Sequence, residues 1–201
     1  MRMRKKKHRD ARLAACAGLY FGSSFKLPAF LEIGCGKGGF ICATAQANPE
    51  LNYVAVERNP DVMLLAMEKA ASLGLNNIRF LIADAENLAG YFAPGEVSGI
   101  YLNFSDPWHK NCHAHKRLTH KNYLDIYKNI MAPQAKLIIK TDNRPFFDFS
   151  LRSLEASNFR IISRTCDLYS CADCPADNVQ TEYERKFTAE GVKICRIEAN
   201  L

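Results

Sequence analysis

Five strand-like apolar runs in this chain each carry a carboxylate at or beside their last residue, and helical spacing fills the segments between them. The runs are Ala29–Ile33 with Glu32, 52–57 ending on Glu57, 77–83 followed by Asp84, 99–104 followed by Asp106, and 136–140 followed by Asp142. Alternating strands and helices predict a doubly wound α/β fold, a mostly parallel sheet with helices on both faces. In such sheets ligands bind beyond the carboxyl ends of the strands. One carboxylate there means little, but five in succession line a single edge.

Local signals place the intervening elements. A helix follows the glycines from Phe40 to Ala47 and stops near Asn48-Pro49. Asn59-Pro60 supplies a cap and a first-turn proline for a helix that ends at Gly74. Thr119 is expected to cap a helix through Tyr123, Ile126, Tyr127 and Ile130; another helix spans 146–156, and a strand starts at Phe159. Thr181–Phe187 and Val192–Glu198, about Glu190-Gly191, read as a C-terminal antiparallel hairpin.

The 201 residues suffice for one domain. Seven Lys/Arg against Asp10 alone within residues 1–12 carry a charge of +6, equal to the net charge of the whole chain. This divides the chain into a basic tail, 1–12, and a domain, 13–201. Such a block without a packing pattern stays mobile and binds a polyanion, nucleic acid or anionic membrane, or merely solubilises the end. Leu13-Ala-Ala-Cys16 resembles a lipoprotein cleavage box, yet Arg9-Asp-Ala-Arg12 stands where its apolar segment should lie. No apolar run approaches the ~20 residues of a membrane span, so a cytoplasmic protein is expected. The eight scattered cysteines then read as reduced thiols.

The loop Glu32-Ile-Gly-Cys-Gly-Lys-Gly38 brings backbone close to a ligand, with Gly34, Gly36 and Gly38 as its pivots. Glu57, 21 residues past Gly36, is spaced to accept both hydroxyls of an adenosine ribose. Dinucleotide-binding folds share both features. The discriminators are Glu32, just before the glycines, and Asp84, because these carboxylates repel a pyrophosphate and stabilise a cationic ligand. S-adenosylmethionine, with an ammonium, a sulfonium and no phosphate, fits. The loop resembles the first motif of class I methyltransferases, which implies that Asp84 meets the adenine amino group.

At the fourth strand end stands Asn103-Phe-Ser-Asp-Pro-Trp-His-Lys110. Phe-Ser-Asp-Pro-Trp-x-Lys, Lys140-Thr-Asp-Asn143 and Thr181-Glu-Tyr-Glu184, in this order and with the basic start, resemble the bacterial tRNA (guanine-N7)-methyltransferase family. The resemblance covers nearly the whole chain. It implies a Rossmann-like methyltransferase sheet with S-adenosylmethionine as cofactor and tRNA as partner. It also implies that Glu32, Glu57, Asp84 and Asp106 contact the cofactor, and that Lys110, Asp142, Thr181, Glu182, Tyr183 and Glu184 hold the substrate. Cys112, His113, Ala114, His115, Lys116 and Arg117 correspond to an RNA-contacting stretch. The chain departs from the family at His109, where a proline is usual, in the less basic Asn111–His115, and in Cys166…Cys171-Ala-Asp-Cys174.

The chemistry is consistent. Guanine N7 is an unprotonated lone pair on an exposed base edge, so no general base is needed to free it. In-line displacement makes positioning the main task. Asp106, the expected catalytic residue, or Asp142 can accept from guanine N1–H and N2–H, and a carboxylate stabilises charge developing on the purine. Trp108 either stacks in the pocket or anchors its loop. No acidic residue interrupts 109–121, a phosphate-contacting pattern. No metal is expected: neither Cys112 with His113 and His115 nor one C-x-x-C matches an established site.

Overall fold

The computed structural model describes residues 6–22, 25–170 and 178–201. Among the described residues seven strands form one sheet in the order β3-β2-β1-β4-β5-β7-β6. They are β1 (Ala29–Ile33), β2 (Tyr53–Val56), β3 (Ile78–Leu81), β4 (Val97–Asn103), β5 (Met131–Thr141), β6 (Arg160–Thr165) and β7 (Cys195–Asn200). The first five are parallel, while β7 runs antiparallel to both β5 and β6. Strand order reverses between β1 and β4, so the ligand crevice of a doubly wound sheet falls there.

The six α-helices among the described residues are α1 (Arg9–Ala15), α2 (Gly39–Ala47), α3 (Pro60–Ser72), α4 (Lys121–Ile130), α5 (Arg144–Ala156) and α6 (Glu182–Ala189). Strand alternation sends side chains to two separate cores. On one face Leu31, Val54, Ile100, Leu137 and Ile197 pack with Leu124 and Tyr127 of α4 and Phe147 and Leu154 of α5. On the other, Tyr53, Ala55, Ile78 and Phe80 meet Phe40 and Ile41 of α2 and Met63, Ala66 and Met67 of α3. Asn59 caps α3 by accepting from the Asp61 amide, as expected from Asn59-Pro60.

Three expectations are corrected. Thr181–Phe187 does not form a strand: Thr181 caps α6, its hydroxyl accepting from the Glu184 amide while the Glu184 side chain accepts from the Thr181 amide. This reciprocal capping box satisfies two otherwise orphaned helix donors, and the antiparallel partner of β7 is β6 instead. Thr119 does not cap α4; His120 does, and the buried Thr119 hydroxyl bonds Ser150 at 2.9 Å. The described part of the basic tail is docked rather than free. Arg12 makes two 2.7 Å bonds to Glu68 of α3, the Lys6 amide donates to Asp61 at 2.8 Å, and α1 runs across the expected boundary at residue 12.

Cys16, Cys35, Cys42, Cys112, Cys166 and Cys195 carry free thiols, whereas Cys171 and Cys174 lie outside the described residues. Among the described residues no helix is long and apolar enough to cross a membrane, and no cluster of three metal-ligating side chains forms.

Candidate active site

A cleft of about 430 Å³ opens at the carboxyl ends of β1 to β4. Its floor and walls include Gly34, Glu57, Asp84, Asn103, Asp106 and Trp108, with Lys116 and Tyr123 on the α4 side. Glu57, Asp84 and Asp106, from three different strand ends, therefore face one space. The sequence pattern placed them on one edge, and the fold converges them.

The glycine loop is shaped by backbone geometry. Gly34 has φ +80 and Gly38 φ +73, left-handed values that L residues rarely adopt. At Gly38 a Cβ would also sit 2.7 Å from the Ala66 Cβ, so this glycine lets α2 pack on α3. Gly34 and Cys35 both donate to the Val56 carbonyl, at 2.8 and 3.1 Å. These bonds tie the loop to the neighbouring strand end.

Glu57 accepts from the Asn59 amide at 2.9 Å, and Asp84 caps the short 3-10 helix Ala85–Gly90. Glu32 lies beneath the loop and is not part of the cleft wall; its Oε1 accepts from Asn103 Nδ2 at 2.9 Å. Burial is the main cause that pushes its carboxyl up to about 8, against the pull of Asn103 and Lys140. The unfolded chain ionises this group near the ordinary value of 4.5. The folded state thus holds the proton longer, and the stability it contributes is full below about 4.5 and lost as pH rises towards about 8. Glu32→Gln is expected to flatten this slope and to be more stable than wild type at pH 8. Urea unfolding at pH 5, 6.5 and 8 measures it, and an unchanged slope refutes the assignment.

Three buried polar atoms here lack a hydrogen-bond partner: Glu32 Oε2, Asn103 Oδ1 and Ser105 Oγ. Buried polar groups are nearly always paired, so this local cluster marks a place built for a polar ligand. All three oxygens can accept a hydrogen bond, and carboxylates stand beside them, which suits a ligand bearing N–H donors and positive charge.

The acceptor side is built by β4, β5 and α6. Phe104 takes φ +51 and Trp108 φ +42, so the chain turns sharply on either side of the exposed Asp106. Asp142 and Lys110 are also exposed. Of Thr181–Glu184, Thr181 and Glu184 are buried. Glu184 accepts from Lys140 Nζ at 3.0 Å and from the Tyr169 hydroxyl at 2.5 Å. Glu182 bonds Lys69 at 2.9 Å. Glu182 is exposed as well, and Tyr183, 64% exposed, is presented outward, its ring stacked 6.3 Å from Phe104. Cys112, His115 and Lys116 are exposed and His113 and Ala114 half-buried, but Arg117 is buried. Sequence reasoning missed Asn103 and Ser105 as floor residues, and missed the part played by Phe104; the position of all three beside the expected Asp106 was the available signal.

Comparison with known proteins gives the class first. A family model described as "Putative methyltransferase" matches residues 26–197. An antibiotic-related methyltransferase superposes with a TM-score of 0.64 at 16% identity, over 99% of this chain and 97% of its own. A SAM dependent methyltransferase from Aquifex aeolicus does so with 0.58 at 15%, over 96% and 98%. The fold is that of S-adenosylmethionine-dependent methyltransferases.

The particular relatives are narrower. The tRNA (guanine-N(7)-)-methyltransferase of Geobacillus kaustophilus (strain HTA426) is 45% identical over 172 residues, 86% of this chain and 78% of that protein. The chain belongs to the tRNA (guanine-N(7)-)-methyltransferase family.

Proposed function

We propose that the cleft binds S-adenosylmethionine and that the chain transfers its methyl group to N7 of a tRNA guanine, in the variable loop as the family resemblance implies. The observation that carries this reading is the convergence of Glu57, Asp84 and Asp106 on one cleft whose floor holds unpartnered buried polar atoms. Family membership supports the tRNA substrate.

The cofactor supplies an electrophilic methyl carbon. The chain supplies position and charge. Glu57 accepts from ribose hydroxyls, Asp84 from the adenine amino group, and Gly34 and Gly36 admit the ligand to the backbone. Gly38 shapes the same loop. Glu32, with Asn103, faces the cationic end from below; such a ligand favours its ionised form, so binding releases a proton. Asp106 and Asp142 accept from the Watson–Crick edge of guanine and leave N7 directed at the methyl carbon. Tyr183 offers its ring to the base, and Thr181, Glu182 and Glu184 fix the helix that carries it. Lys110, with exposed members of 112–116, meets the RNA backbone, and Arg2, Arg4, Lys5 and Lys7 of the basic tail extend this contact.

Neutralising Arg2, Arg4, Lys5 and Lys7 to Gln leaves the pairs of Arg9 and Arg12 with α3 intact. Tethering four fewer phosphates is expected to lower the log–log salt slope of tRNA binding by roughly three. Filter binding from low to high salt measures it, and an unchanged slope removes the tail from the interface.

Labelled methyl donor incubated with purified chain and either tRNA or ribosomal RNA tests the substrate. Label confined to tRNA supports the proposal. Equal labelling of both overturns its specificity, and RNA binding without transfer makes the chain a non-catalytic binder.

A further inference from the structure

We propose that Arg117 is a positioning residue that sets the conformation of the loop Ser105–Trp108, and so aims Asp106, rather than a phosphate contact. Its catalytic readout rests on the methyl-transfer reading of the cleft. Its structural readout does not.

Arg117 closes a run of basic residues with no acid among them, yet it is 9% exposed. Lys110, His115 and Lys116 of the same run are exposed. Its guanidinium donates from Nε to the Pro107 carbonyl and from a terminal nitrogen to the Trp108 carbonyl, both at 3.0 Å. Behind it the Phe149 ring of α5 lies 4.3 Å away, centroid to guanidinium carbon. The charge is therefore spent inside the protein, between an acceptor loop and a helix.

The two carbonyls belong to the peptide units on either side of Trp108. Holding both planes holds the φ and ψ of that residue. Trp108 has φ +42, a left-handed value that a bulky L residue keeps only where its surroundings over-determine it. The planar fork of arginine matches two adjacent acceptors, and the single ammonium of lysine does not. The step to Asp106 is short. It precedes Pro107, and a pre-proline residue is confined to extended conformations, so fixing the Pro107 carbonyl leaves the Asp106 backbone little freedom.

Arg117 is itself anchored. Its amide donates to Ala114 at 3.1 Å and its carbonyl accepts from His120 at 2.8 Å. Trp108 is further braced by Lys116, 4.9 Å above its ring, and by the edge of His113 at 5.6 Å. The segment after the acceptor loop thus folds back as its scaffold.

Arg117→Lys and Arg117→Met in the full chain test the proposal. Trp108 is the only tryptophan, so its fluorescence reports the loop directly. In both Arg117 variants iodide and acrylamide quenching of Trp108 should rise and kcat should fall at least about tenfold, lysine giving no rescue. The salt slope of tRNA binding should stay at its wild-type value. A slope lowered by about one with kcat unchanged makes Arg117 a phosphate contact and overturns the proposal. So does full rescue by lysine, or unaltered Trp108 quenching. If neither Arg117 variant folds, Phe149→Leu, which keeps the guanidinium and removes its backing, carries the same test: raised quenching with lowered kcat supports it, and wild-type values of both overturn it. An inactive wild-type chain defeats the methyl-transfer reading instead, and the quenching comparison still decides the loop.

Discussion

Asp106→Ala is expected to keep the fold and lose methyl transfer by roughly 10²–10⁴-fold, the range that positioning and electrostatic stabilisation supply when a single polar group aims the reactants. The side chain is exposed at the cleft mouth and packs no core, so thermal stability should change by no more than about 0.5 kcal/mol. Asp106 follows the turn at Phe104, where the Phe104 amide donates to the Lys140 carbonyl at 2.8 Å, and precedes the loop held by Arg117. The variant removes a functional group from a frame that survives. Single-turnover transfer at saturating cofactor separates this from weakened binding, and a wild-type rate there removes Asp106 from the reaction.

The largest stability effect is expected at Lys140. Its side chain is 3% exposed and that of Glu184 fully buried, with 3.0 Å between them. Lys140 also donates to the Val179 carbonyl at 2.9 Å. Burial pulls the Lys140 ammonium below its ordinary pKa, and Glu184 pulls it back. This pair joins the end of β5 to α6 and so holds Tyr183 beside Phe104. Lys140→Met leaves a buried carboxylate without its cation, a change that costs about 3–5 kcal/mol. For a chain of this size that lowers the unfolding midpoint by roughly 6–20 °C. Calorimetry measures it. Removing both charges while keeping an acceptor for the Thr181 amide and the Tyr169 hydroxyl, as in Lys140→Met with Glu184→Gln, should recover most of the loss, since no unpaired charge remains. A single variant within about 1 kcal/mol of wild type contradicts the account of this pair.

The parallel half of the sheet was legible because strands covered on both faces read as unbroken apolar runs. Ala29–Ile33 was bounded correctly, and Glu57, Asp84 and Asp106 were placed on the ligand edge from where those runs stop. The C-terminal half was not. Thr181–Phe187 read as one arm of a hairpin about Glu190-Gly191, although Thr181-x-x-Glu184 is a capping-box spacing and was the stronger local signal. Nothing near β7 in sequence indicates that its partner is β6, more than thirty residues earlier, because that pairing is set by the sheet edge.

Charged residues were the second source of error. Lysine and arginine counts reveal the sign of a surface, not the direction in which a side chain points. Within 109–121 Lys110 and Lys116 are exposed, yet Arg117 turns inward. Arg12 likewise reads as part of a free tail until Glu68, on the following helix layer, is seen to receive it. Thr119, a plausible cap by type, is drawn into the core by Ser150. Each case is a tertiary partner overriding a local preference.

The central claim is methyl transfer to one atom of one base. Purified chain is incubated with labelled S-adenosylmethionine and unmodified tRNA, and the tRNA is then treated with borohydride and aniline, which cleave at N7-methylguanosine. The account predicts label in N7-methylguanosine and a single cleavage site, in the variable loop. Label in any other nucleoside, or no transfer by a chain that binds both tRNA and cofactor, would contradict it.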